Sequence, residues 1–252
     1  MIPAPAGTGS ALRHRHPWLL LTLAPVLLAQ GMHVRRSIPR LPEAAGARAG
    51  VAGEGRPLRL LIAGDSAAAG VGVADQSQAL AGQLVARLAP DFRLYWRLEA
   101  ETGRTTRQTV AQLRELAPER FDVAVISLGV NDVTSGIGAR RWAAGLEQLT
   151  TLLAARFGVR RVLFSAVPPM HLFPALPQPL RAYLGSRARH FNEVLAAQAG
   201  LDPRCALVRF GLDGLTTASD GFHPGDAAYS AWAEALAGHV RHATTTFGGD
   251  DP

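Results

Sequence analysis

Lysine is missing altogether from the 252 residues, and cysteine occurs once, at Cys205. A single cysteine excludes an internal disulfide framework and any cysteine-rich zinc module. Charged residues are sparse at 18% and apolar residues abundant at 48%, which excludes disorder over most of the chain. An excess of one charge sign is also lacking over most of the length. The formal charge is +6, yet residues 1–56 hold seven arginines against two acids, and residues 57–252 hold nineteen against eighteen. The basicity belongs to the N-terminal segment, so no nucleic-acid partner is implied. No cofactor fingerprint is complete either. Gly70-x-Gly72 runs into Val73-Ala74-Asp75 without the third glycine of a dinucleotide loop. His171, His190, His239 and His242 show no metal-ligand spacing, and Cys205 opens an apolar run that reads as buried core. Neither a cofactor nor a metal is expected.

The N-terminal segment carries Arg-His-Arg-His at 13–16 and then a mostly apolar run, Trp18–Ala29. Twelve residues fit a signal-peptide core and fall short of the ~18–20 needed to span a membrane. Pro25 would kink a helix here, no clear small-residue cleavage site follows, and arginines on both flanks leave the orientation unset. The expectation is a signal- or anchor-like segment with a linker over 1–56. This implies membrane contact or export, with a cytoplasmic location left open. A folded domain is expected over 57–243, followed by a polar tail over 244–252.

Within the domain, short apolar runs alternate with helical periodicity. Strands are expected at Leu58–Ala63, Phe92–Leu98, Phe121–Leu128, Val162–Val167 and Ala206–Phe210. Helices are expected at Ala79–Leu88, Thr105–Leu116, Arg140–Phe157, Leu180–Ala199 (closing on Gly200) and Asp226–His242. Five strand–helix alternations predict an α/β domain, with a five-stranded parallel sheet covered by helices on both faces.

Ligands of such sheets bind beyond the carboxyl ends of the strands. Those ends are followed here by Gly64-Asp65-Ser66, by Glu101-Thr102-Gly103, by Gly129-Val130-Asn131-Asp132, by a Pro-rich loop, and by Asp220-Gly221-Phe222-His223. One edge thus receives a hydroxyl, a bare glycine, a side-chain amide and an acid with an imidazole, the inventory of acyl transfer. Taken singly, each residue has a plainer reading: Ser66 as a helix cap, Asp220 and Asn131 as turn formers, His223 as a surface histidine, Gly103 as any loop glycine.

Together, the four blocks Gly64-Asp65-Ser66, Gly103, Gly129-x-Asn131-Asp132 and Asp220-x-x-His223 resemble those of the SGNH hydrolases, the GDSL esterases and lipases, over roughly 58–240. Ala67 stands where the family name implies leucine. The resemblance implies a flavodoxin-like three-layer α/β/α sandwich and a serine esterase acting through an acyl-enzyme. Ser66 would be the nucleophile, His223 the base and Asp220 its orienting acid. The N–H groups of Ser66 and Gly103 and the Asn131 amide would form the oxyanion hole. Asp65 and Asp132 read as structural groups bonding loop backbone around the site. The expected partner is a small acyl ester or thioester of short to medium chain. An acyltransferase using the same residues, or a membrane-tethered binding module without catalysis, are the other readings. The loop Pro168–Leu180, with Met170, Leu172, Phe173 and Leu176 among five prolines, either lines an acyl pocket or seals the edge of the domain.

Overall fold

The computed structural model describes residues 17–211 and 216–245. Its centre is a sheet of six strands: β1 (Ala49–Ala52), β2 (Arg56–Gly64), β3 (Phe92–Ala100), β4 (Val123–Ser127), β5 (Arg161–Ser165) and β6 (Cys205–Val208). The order is β1-β3-β2-β4-β5-β6. β2 to β6 are mutually parallel, in the doubly wound order in which the first parallel strand lies between the second and the third. β1 pairs antiparallel with β3, Ala49 opposite Arg97 and Ala52 opposite Leu94. The expected five-stranded parallel sheet is therefore a six-stranded mixed one. The added strand lies in the stretch 39–57, whose composition reads as linker. Its Ala-Gly-Val-Ala sequence buries almost nothing, so pairing to β3 makes it a strand without any hydrophobic pattern.

β2 and β4 are hydrophobic on both sides because both of their faces are covered. Leu58, Leu60, Ile62, Val123 and Val125 point to one face, under α2 (Leu80–Leu88) and α7 (Asp226–Thr245). Leu61, Ala63, Ala124 and Ile126 point to the other, under α3 (Thr106–Glu115), α5 (Ala139–Phe157) and α6 (Leu180–Leu201). A five-residue helix, α4 (Val130–Thr134), follows β4 directly and is too short for periodicity to reveal. α6 does not close on Gly200. It runs to Leu201 and ends at Asp202, where Pro203 bars the helical conformation from the preceding residue. α7 takes Thr244 and Thr245 from the expected tail, and the remainder of that tail lies outside the described residues.

The apolar N-terminal run lies within helix α1 (Pro17–Ser37), while the Arg-His-Arg-His stretch before it lies outside the described residues. Leu27 and Val34 pack against the core on the α6 side. The Gln30 carboxamide donates to Gln178 O at 2.7 Å and accepts from Leu180 N–H at 3.1 Å, bonding the start of α6. Val26, Leu28 and Met32 face outward. Among the described residues no helix is long and apolar enough to cross a membrane.

Candidate active site

β2 ends at Gly64, where a Cβ would collide with Ser127 O of the neighbouring strand, so only glycine lets the chain leave the sheet here. The next residues form a tight turn. Asp65 N–H donates to Ser127 O, Ala69 N–H to Asp65 O, and Val71 N–H to Ser66 O. The buried Asp65 carboxylate accepts from Ala67 N–H at 3.1 Å, an Asx turn around Ser66. From α7, the fully buried Tyr229 hydroxyl lies 2.7 Å from Val71 O and 3.0 Å from Ala67 O, tying the same turn to the last helix. Ser66 caps no helix, since α2 begins only at Leu80 with Ala79 before it. Its hydroxyl projects from the turn, half-buried, toward the C-terminal loop.

That loop brings His223 to it. His223 Nε2 is 2.9 Å from Ser66 Oγ, and His223 Nδ1 is 2.5 Å from Asp220 Oδ2. With the Nδ1 proton on the Asp220 side, Nε2 is left to accept from the Ser66 hydroxyl. The other Asp220 oxygen accepts the backbone N–H groups of Phe222 at 2.9 Å and His223 at 3.0 Å. Burial alone would push the Asp220 carboxyl up, but these bonds and the imidazole outweigh it and hold it below the usual carboxylate value. Gly221, at φ +65°, supplies the left-handed residue that folds acid and imidazole back on one another.

The oxyanion candidates sit at the ends of β3 and β4. The N–H groups of Ser66 and Gly103 have no protein acceptor among the described residues. Gly103 is exposed at φ +86° with nothing within 4 Å of where a Cβ would be, so its backbone borders open space. Asn131 is less free. Its amide nitrogen donates to Arg104 O at 3.0 Å and lies 3.3 Å from Asp65 Oδ2, so to meet an oxyanion it must turn from the longer of these contacts. Asp132 is buried and accepts from Thr106 N–H at 3.0 Å and Thr106 Oγ1 at 2.8 Å, while Trp142 Nε1 donates to the same hydroxyl at 2.9 Å. α3 is thereby pinned to α4, which fixes the loop bearing Gly103 relative to Asn131. Desolvation raises the pKa of both buried acids, that of Asp65 to about 7 with the Asp132 charge contributing.

The pair Ser66–His223 opens on a mostly apolar, solvent-open cleft, with Pro168, Pro169, Leu172 and Phe173 along one wall and Phe222 and Trp232 along others. The Pro-rich loop both packs into the core and lines this cleft. Met170 and Leu176 are buried in the core, whereas Leu172 is exposed at the cleft mouth. Phe173 does both, packing edge-on against Phe222 at 4.9 Å, and Ala175 N–H donates to Gly221 O, so this loop also braces the histidine loop. Among the described residues no group of three His, Cys, Asp or Glu side chains is placed to hold a metal ion. Tyr229, Thr106 and Trp142 were not legible as site residues. Each acts through contacts many positions away in the chain, and no local pattern marks them.

A family model described as GDSL-like lipase/acylhydrolase matches residues 62–231. A comparison with curated protein sequences gave no match. Among solved structures, TesA is 28% identical, with 73% of this chain and 99% of that one covered and a TM-score of 0.59. The native aryl esterase of M. smegmatis is 21% identical, with 73% and 99% covered and a TM-score of 0.58. Est24, a carbohydrate acetylesterase from Sinorhizobium meliloti, is 18% identical, with 73% and 99% covered and a TM-score of 0.56.

Proposed function

From the premise that the chain belongs to the GDSL-like lipase/acylhydrolase family and is a carboxylic ester hydrolase, we propose that it cleaves short to medium acyl esters or thioesters through an acyl-enzyme on Ser66. The observation that carries this is the unbroken row from Asp220 through His223 to Ser66, at 2.5 and 2.9 Å. A serine hydroxyl is a weak nucleophile until a base takes its proton. In this reading Ser66 Oγ attacks the substrate carbonyl carbon as its proton passes to His223 Nε2. Asp220, held below the usual carboxylate value, stays ionised and stabilises the imidazolium. The carbonyl oxygen becomes an oxyanion facing the free N–H groups of Ser66 and Gly103, with the Asn131 amide as third donor.

Collapse of the tetrahedral intermediate breaks the bond to the alcohol or thiol, which leaves with the proton returned by His223. Water, deprotonated by the same imidazole, then releases the acid. The apolar walls at Leu172, Phe173 and Trp232 suit the acyl chain. The test is labelling by a fluorophosphonate probe together with hydrolysis of a p-nitrophenyl ester. Wild type should label and turn over, and Ser66→Ala should do neither, with turnover down by ~10⁴-fold or more. A well-folded wild type that fails to label would end the reading.

A further inference from the structure

The turn carrying Gly103 is poorly held by its own backbone. Arg104 N–H reaches Glu101 O only at 3.3 Å, and Glu101 N–H reaches Gly64 O at 3.4 Å. An oxyanion donor is useful only if it is already aimed where charge develops; Asn131 on Arg104 O and Asp132 on Thr106 hold the residues after Gly103, so the residues before it need a hold of their own. Glu43 supplies it, from outside residues 62–231 that the family model matches. One of its carboxylate oxygens, Oε1, accepts both Thr102 N–H at 2.6 Å and the Thr102 hydroxyl at 2.8 Å. Its other oxygen accepts from Arg48 Nη2 at 2.7 Å, and Arg48 Nη1 donates to Ala100 O at 2.8 Å, so the carboxylate is clamped from behind.

Glu43 is itself anchored to the nucleophile side. Ala44 N–H donates to Ala69 O and Ala45 N–H to Ala74 O. The buried Gln76 amide donates to Ala44 O at 3.2 Å and to Ala69 O at 3.0 Å. Residues 43–45 thus join the Ser66 turn to the Gly103 turn.

We propose that Glu43 is a positioning residue for the oxyanion hole, fixing Thr102 by the N–H of the Glu101–Thr102 peptide and by its hydroxyl so that the next N–H, that of Gly103, faces the carbonyl attacked by Ser66. The proposal rests on the esterase reading above. It gives residues 43–45 a supporting role in the oxyanion hole. Glu43 does not line the cleft, so its removal should weaken the transition state and leave binding of the ground state alone.

The experiment uses the full chain, p-nitrophenyl butyrate and the fluorophosphonate probe, with wild type, Glu43→Ala, Glu43→Gln and Thr102→Val. Glu43→Ala should lower kcat by roughly 10–100-fold, part of what losing a whole donor costs, with KM within about twofold and Ser66 still labelled to completion. Glu43→Gln should recover most of kcat, because an amide oxygen accepts the same two bonds; the amide nitrogen cannot accept from Arg48, so the partly exposed Arg48 side chain turns away at small cost. Thr102→Val, which keeps the N–H bond and removes the hydroxyl, should show a few-fold loss of the same kind, and it serves as the readout if Glu43→Ala does not fold. Wild-type kcat in Glu43→Ala, or equal losses in the alanine and glutamine variants that follow their melting temperatures, would overturn the proposal alone. Absence of Ser66-dependent turnover in wild type would overturn it together with the esterase reading.

Discussion

The two halves of the proposed site are built differently. Its proton-handling half is local: Asp220 and His223 share one loop, and a single buried carboxylate holds both the imidazole and the N–H groups of Phe222 and His223. The oxyanion half is assembled from afar. Gly103, Asn131 and Ser66 come from three strand ends and are brought into register by Asp132 on Thr106, by Asp65 beside Asn131, and by Glu43 on Thr102. A half that depends on one carboxylate should fail completely when that carboxylate goes, whereas a half spread over several residues should fail by degrees.

The largest effect is expected at Asp220. Asp220→Asn keeps the shape but offers an amide to the imidazole, and turnover measured on a p-nitrophenyl ester should fall by ~10⁴-fold. A fall no larger than that of an oxyanion variant would erase the contrast. Asn131→Ala comes next, with an expected loss of ~10²–10³-fold in kcat. Because the Asn131 amide already has protein partners, an unchanged kcat with a lowered melting temperature would recast it as a strut between Asp65 and Arg104.

The smallest effect on turnover is expected at Asp65, where the readout is stability. Its pKa rises from 3.8 in the unfolded chain to about 7 in the fold, chiefly through burial. The folded state therefore holds the proton more tightly, and the stability this group contributes is lost as pH rises from about 4 through about 7, by roughly 4 kcal/mol at ~1.4 kcal/mol per unit. Asp65→Asn should gain on wild type over that window in urea unfolding. A difference between the two that stays constant with pH would show that Asp65 does not titrate there.

Much of this site is legible in the sequence because parallel sheets place the chemistry at strand ends, where glycine and short polar residues interrupt apolar runs. Gly64-Asp65-Ser66 and Asp220-Gly221-Phe222-His223 stand out for that reason, and the alternation of β2 with α2 and β3 with α3 is written in periodicity. β1 and Glu43 are not legible, because an edge strand of small residues and an isolated carboxylate in a proline- and glycine-bearing stretch carry no periodic signal. What makes them matter is pairing with β3 and with Thr102, 59 residues further along the chain. α6 overran Gly200 for a related reason: glycine permits a helix to end, but here Pro203 compels it.

The Tyr229 hydroxyl, lodged between Ala67 O and Val71 O, ties the completeness of the proposed site to one docking event. The loop that bears Asp220 and His223, the latter 157 residues beyond Ser66, leads directly into α7. Seating α7 therefore closes the turn that carries the proposed nucleophile and delivers the proposed base in the same step. A domain with α7 displaced would hold a serine with neither.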